Sequence, residues 1–301
     1  MTTKKKRNLS HRHRHHRRYR KKSKTIKKDK CSPKKGEDAL PFTCYTSSAL
    51  NKIKNVWNER HPDEKIKSTK PREIWEQLRL HMSDTCNSES CWLRHQCIKH
   101  DIDRNLLGDM FAPVSPEKWK INPNEWLTTV DIQKVMKQWE KANPTFRFLG
   151  PSPINYDTHI MYNECVWEDI CKFDLVETIK KGIKNVGIIF NLDKHTEPGS
   201  HWVAIYIDIN KEEIYYFDSY GDKIPSQLLK FCETIKEQSG GKFNIFVSKK
   251  VHQRGNSECG MYCLYFIIQL LNGTEYQTFQ KERVPDEKME KLRKEYFNSH
   301  R

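Results

Sequence analysis

Gln253-Arg254-Gly255-Asn256-Ser257-Glu258-Cys259-Gly260-Met261-Tyr262-Cys263-Leu264-Tyr265-Phe266-Ile267-Ile268 joins a polar, turn-prone loop to an apolar run long enough for a buried helix. Cys259 therefore stands where a helix begins. The unpaired N–H groups of a first turn, with the helix dipole, favour an anion there, so a thiol at that position leans towards the reactive thiolate. A thiolate nucleophile also needs a base and an acid that orients the base. Upstream, His201 precedes one β-patterned run and Asp218 closes the next.

The spacing of these two runs gives the pair a geometry. Val203 to Ile209 and Ile214 to Phe217 are rich in β-branched and aromatic residues, with Asn210-Lys211-Glu212-Glu213 between them as a hairpin turn. Antiparallel pairing sets the start of the first strand beside the end of the second, which makes His201 and Asp218 neighbours. Gln253 lies six residues before Cys259, near enough for its amide to donate to an oxyanion developing beside the sulfur.

His201-Trp202, then Phe217-Asp218-Ser219, then Gln253 and Cys259-Gly260 together resemble the Ulp1/adenain-type (clan CE) cysteine proteases over roughly residues 187–271. The resemblance implies an α+β, papain-like fold: a mixed sheet flanked by helices. It implies His201 as base, Asp218 as its orienter, Cys259 as nucleophile and Gln253 in the oxyanion hole. It also implies substrate-binding roles for Trp202, over the glycines of a Gly-Gly substrate, and for Trp126. Trp126-Leu127 resembles the family's Trp-Leu-Asn-Asp start, with Thr128-Thr129 where Asn-Asp is expected. Glu258 stands where the family often has Asp, so the carboxylate is kept.

The segment Phe146 to Tyr156 and the long N-terminal extension resemble the core-processing proteases of large DNA viruses, of the African swine fever virus and poxvirus kind. The activity so implied is cleavage of structural polyproteins after Gly-Gly-x sites during virion maturation. Removal of SUMO or ubiquitin, whose C-termini also end in Gly-Gly, is the alternative. A nucleic-acid-binding protein on an inactive protease scaffold is the non-enzymatic reading, and an intact His, Asp, Gln and Cys set argues against it.

Charge divides the chain. The first 35 residues hold 17 Lys/Arg and one acid, Asp29, which accounts for +16 of a whole-chain +15, so the remaining 266 sum to −1. Residues 1–38 are expected to be a disordered polybasic tail, 39–120 a helical region and 121–301 the protease domain. A flexible polycation with Tyr19 as its one aromatic is expected to bind nucleic acid without sequence preference. No apolar run approaches the roughly 18 residues of a membrane span and no signal-like stretch opens the chain, so no membrane insertion is expected. Ten cysteines then read as reduced thiols, in the cytoplasm or the nucleus. The resemblance narrows this to the virion and the host cytoplasm, within virus factories.

Local patterns place the remaining elements. Leu50, Ile53, Lys54 and Trp57 have helical spacing, Pro71 opens a second helix, and Thr128 or Thr129 caps a third whose apolar face is Ile132, Val135, Met136 and Trp139. Asp174 caps a short helix, and Val186 to Leu192 is a nearly continuous apolar strand of the kind covered on both faces. Ile224 to Glu237 is an amphipathic helix with Leu228, Leu229, Phe231, Cys232 and Ile235 inward, and Phe243 to Val247 is a further strand. Cys86, Cys91 and Cys97 with His95 and His100 are too loosely spaced for a paired zinc site and read as structural cysteines. No metal and no cofactor are expected. His195 is a weaker base candidate than His201, because it has neither the following β-run nor a paired acid.

Overall fold

Two strands whose side chains alternate between two cores organise the structure, a computed structural model that describes residues 28–34, 40–95, 98 and 105–299. Trp202–Asp208 (β4) sends Trp202, Ala204 and Tyr206 into one core and Val203, Ile205 and Ile207 into the other. Glu213–Phe217 (β5) divides in the same way, Tyr215 and Phe217 against Ile214 and Tyr216. A strand covered on both faces has no polar side, which is why these runs read as continuously apolar.

Among the described residues the sheet has six strands. Asn185–Asn191 (β3) and β4 pair antiparallel, as do β4 and β5. Asn244–Val247 (β6) pairs parallel to β5, and Phe146–Phe148 (β1) and Ser152–Pro153 (β2) both pair parallel to β3. One face carries the helix Cys259–Leu271 and the other the helix Ser226–Gln238. This is the α+β, mixed-sheet arrangement the sequence predicts. Gly187 sets how closely the Cys259–Leu271 helix approaches the sheet. A Cβ there would lie 2.9 Å from the Phe146 ring and 3.1 Å from Ile267 Cγ2.

The other expected elements form within a few residues of their predicted bounds. Ser47–Arg60 and Pro71–Met82 build a separate core with Tyr45, Trp92 and Phe111, and Pro71 opens the second of these helices. Thr128 caps Thr129–Ala142 in a reciprocal capping box with Asp131, and Asp174 caps Leu175–Lys180. Leu229 departs from the expected inward set and is 38% exposed.

Two expectations are corrected. Residues 28–34, counted within the tail, are packed: Asp29 and Ser32 are buried, Cys31 is bonded to Cys44, and the Ser90 N–H donates to Asp29 Oδ2 at 2.8 Å. A charge average over 35 residues hides so short an anchor. Residues 1–27 and 35–38, the rest of the expected tail, lie outside the described residues. The cysteines are not all thiols, because Cys31–Cys44, Cys86–Cys91 and Cys165–Cys171 are disulfides. Composition cannot show that these pairs fold close enough to bond. Cys86 and Cys91 bond each other as structural cysteines, and Cys97 and His100 lie outside the described residues. No helix among the described residues is long and apolar enough to cross a membrane.

Candidate active site

The β4–β5 register brings Ala204 opposite Phe217, so His201 and Asp218 project from the same end of the hairpin. His201 Nε2 lies 2.8 Å from Asp218 Oδ1. Asp218 is buried, and its Oδ1 also accepts the Tyr220 N–H at 2.8 Å, which fixes the carboxylate against the ring. Cys259 lies close enough to the same imidazole to act on its charge. Burial pulls the imidazole's pKa down, but the hydrogen bonds and charges of Asp218 and Cys259 outweigh it and raise His201 to about 9. His201 is therefore an imidazolium at neutral pH, beside a sulfur at the first turn of a helix.

Cys259 begins a 13-residue helix whose residues Cys259 to Ile268 are all buried. Gly260 follows in a tightly packed position. A Cβ there would sit 3.1 Å from Leu127 Cβ and 3.3 Å from Trp202 Cδ1. Trp202 is itself pinned, its Nε1 donating to the Leu127 carbonyl at 3.1 Å. Trp202 thus forms a wall behind Cys259 and Gly260 and is 6% exposed, while Trp126, next to Leu127 in the chain, is 37% exposed. Cys263, one turn on, is fully buried among apolar side chains, and burial pushes its thiol far above the ordinary range.

Gln253 is buried and its amide is held in one orientation. Nε2 donates to the Gly255 carbonyl at 2.9 Å and to Tyr220 Oη at 3.3 Å, while Ser219 Oγ donates to Oε1 at 2.7 Å. A carbonyl can only accept, so the group facing Gly255 is the NH₂. The N–H groups of His252 and Gln253 both donate to the Ser219 carbonyl, at 2.8 and 2.9 Å. Ser219 therefore ties the Gln253 loop to the end of β5. Tyr220 stacks on the His201 ring at 4.9 Å and donates from its hydroxyl to the Gly255 carbonyl at 2.7 Å. It spans the two sides of the site.

Two residues late in the chain, Asp286 and Arg293, hold the loop that leads into Cys259. Arg293, buried, donates from Nε to both Glu258 oxygens at 2.8 and 3.1 Å, from Nη1 to the Glu125 carbonyl at 2.8 Å and from Nη2 to the Ser257 carbonyl at 3.1 Å. One guanidinium thus joins the residue before Cys259 to the residue before Trp126. Burial raises the Glu258 carboxyl and the Arg293 charge opposes that rise. Asp286 accepts the Gly255 and Arg254 N–H groups at 3.0 Å each and the Tyr262 hydroxyl at 2.7 Å. Burial pushes Asp286 up, but these donors outweigh it and hold the carboxyl below its ordinary value.

All four residues assigned from sequence to catalysis thus converge on one end of the sheet. His195 does not join them. It is exposed, with its N–H and Nδ1 on the side chain of Asn155. The motif that contains Ser219 assigns it no role, and no sequence pattern marks Tyr220, Asp286 or Arg293. Only Glu258, an acid beside a wholly apolar helix, signalled that a buried cation had to lie somewhere to meet it.

Residues 181–301 match the Ulp1 protease family in its C-terminal catalytic domain. The chain is 29% identical over 238 residues to a protein of Acanthamoeba polyphaga mimivirus named as a thiol protease, spanning 78% of this chain and 76% of that one. It is 28% identical over 231 residues to a cysteine protease of African swine fever virus, spanning 70% and 83% respectively. In fold it is similar to the crystal structure of the African swine fever virus protease, with a TM-score of 0.63 at 22% identity, covering 90% of this chain and 96% of that one. The match to the catalytic domain and the two viral relatives lead to one conclusion: this chain is a cysteine protease whose residues 181–301 are similar to the Ulp1 catalytic domain.

Proposed function

We propose that this protease is an endopeptidase that cuts structural polyproteins after Gly-Gly-x sites during virion maturation. The observation that carries the chemistry is the line Cys259, His201, Asp218 with the Gln253 amide fixed beside it. Cys259 Sγ attacks the substrate carbonyl carbon. The oxyanion takes an N–H from Gln253 Nε2, which gives up its longer bond to Tyr220, and a second from the first turn of the helix. The C–N bond breaks as His201 passes its proton to the leaving amine. Water then attacks the thioester while His201 takes up the water's proton, the S–C bond breaks, and the acid product leaves.

The wall of Trp202 and Leu127 against Gly260 supports a narrow slot. Glycines pass such a slot and larger side chains collide with it, and Trp126 is exposed to meet the substrate beyond. Homologues from African swine fever virus carry both names, cysteine protease and SUMO-1 cysteine protease, and that favours a second reading, deconjugation of SUMO or ubiquitin. We place the protein in the virion and the host cytoplasm, with nucleic acid bound non-specifically by the basic N-terminal residues. Six bonded cysteines remove the earlier argument for a wholly reducing setting.

Purified protein incubated with Gly-Gly-Ala peptides and with a SUMO fusion, side by side, tests the reading. Cleavage of the peptides with the fusion left intact is the expected result. Cleavage of the fusion alone would replace polyprotein processing by deconjugation. Efficient cleavage of Ala-Ala peptides would remove the slot.

A further inference from the structure

Between β2 and the helix Leu175–Lys180 the chain makes a knuckle outside the active site. His159 and Cys165 face each other across a single antiparallel bridge. The turn Met161–Asn163 closes it, with Tyr162 and Asn163 both at φ 62, a left-handed conformation that non-glycine residues adopt at a cost of about 1 kcal/mol or more each. Cys171 ends the short helix Glu168–Cys171 and returns to the same point. The ligand atoms of His159, Cys165 and Cys171 lie within 4.8 Å of one another, and His159 Nε2 is 3.8 Å from Cys165 Sγ.

The His159–Cys165 separation is close to one edge of a coordination tetrahedron. With Zn–S of about 2.3 Å and Zn–N of about 2.0–2.1 Å, a tetrahedral ion sets S···N at about 3.6 Å and S···S at about 3.8 Å. The two sulfurs are bonded to each other here, so the pair must first be reduced. We propose that His159, Cys165 and Cys171 hold one Zn²⁺ when the Cys165–Cys171 disulfide is opened by a thiol reductant. Two reductant thiols give two electrons and two protons to the S–S bond and become a disulfide themselves. Zn²⁺ then displaces the two protons from the cysteine thiols and binds two thiolates and a neutral imidazole.

The protein already holds the frame for this set. Glu168 Oε1 accepts the Cys165 N–H at 2.8 Å, which fixes the backbone of the central ligand. His159 is exposed and Cys171 half-buried, so the fourth position faces solvent. The metal would replace the disulfide as the staple under a tip that presents Ile160, Met161 and Tyr162 to solvent at 49%, 79% and 92% exposure.

The test uses the full chain, reduced with dithiothreitol, desalted without air and titrated with Co²⁺ as a spectroscopic stand-in for Zn²⁺. We expect a thiolate-to-Co²⁺ charge-transfer band that saturates at about one equivalent and is missing from the oxidised protein. The band should be lost in Cys165→Ser/Cys171→Ser and kept in Cys86→Ser/Cys91→Ser. His159→Ala should weaken binding by about 10-fold or more. Histidines of the N-terminal residues give no thiolate band, so they cannot imitate the signal. In the unaltered protein, Zn²⁺ should protect Cys165 and Cys171 from alkylation as read by mass spectrometry, which assigns the ligands without relying on a variant that folds. No band in the reduced protein, a band that survives Cys165→Ser/Cys171→Ser, or protection confined to other cysteines would each overturn the site.

Discussion

His201 and Asp218 are 17 residues apart and meet because one hairpin brings them together, whereas the six-residue step from Gln253 to Cys259 depends on Asp286 and Arg293, 32 and 35 residues from the groups they hold. The base side is built by local pairing. The Cys259 side is built by long-range hydrogen bonds to two charged groups, Arg293 buried and Asp286 half-buried. The two sides should therefore fail in different ways: damage to the hairpin should change the charge state of His201, and damage to the clamps should displace the loop while leaving that charge state alone.

The largest effect belongs to the nucleophile. Cys259→Ser should lower kcat by about 10⁴-fold or more with the fold intact, because a hydroxyl is far less acidic than a thiol. Cys263→Ser, in the same helix, should keep turnover. The reverse pattern in a peptide assay would move the nucleophile one turn along. Arg293→Ala comes next and reads as stability. Removing one partner of a buried pair costs about 3–5 kcal/mol, which a denaturant titration would resolve, and activity should fall with the loop.

Gln253→Ala should lower kcat by about 10²–10³-fold with KM little changed, since an oxyanion donor acts mainly in the transition state. A change confined to KM would place Gln253 in substrate binding. Tyr220→Phe keeps the ring on His201 and frees the Gln253 amide from its longer bond, so it should change kcat by less than about 10-fold. Tyr220→Ala, which also strips the stack, should cost more. Deletion of residues 1–27 should leave peptide cleavage unchanged while abolishing salt-sensitive retention on DNA. Retention by the truncated protein would move nucleic-acid binding into the folded part.

The same contrast explains what the sequence disclosed. The hairpin was legible because period-two runs and a turn fix strand register, and register alone makes His201 and Asp218 neighbours. The nucleophile helix was legible because Cys259 sits at the junction of a polar loop and an apolar run. Arg293 was not, since it lies in a charged stretch, Asp286–Tyr296, whose pattern predicts a solvated helix, and only the fold turns that one side chain inward. Tyr220 and Ser219 were hidden for a related reason. Their partners, Gly255 and Gln253, are reached across a loop whose path no short-range pattern sets. The disulfides needed Cα separations of 5.0–6.3 Å that spacing along the chain does not supply.

The pH dependence carries its own sign. The folded value of His201, about 9, lies above the 6.5 of an unperturbed imidazole. The contribution of its protonated contacts to stability is therefore complete below about pH 6.5 and is lost as pH rises through about 9. Turnover that uses the imidazolium as acid should fall over the same alkaline range.

NMR titration of the His201 ring in the unaltered protein, in Asp218→Asn and in Arg293→Lys tests the division of the site most directly. A site divided in this way gives a midpoint near 9 that drops in Asp218→Asn and holds in Arg293→Lys even as kcat falls. A midpoint near 6.5 in the unaltered protein, or one that moves as far with Arg293 as with Asp218, would contradict it.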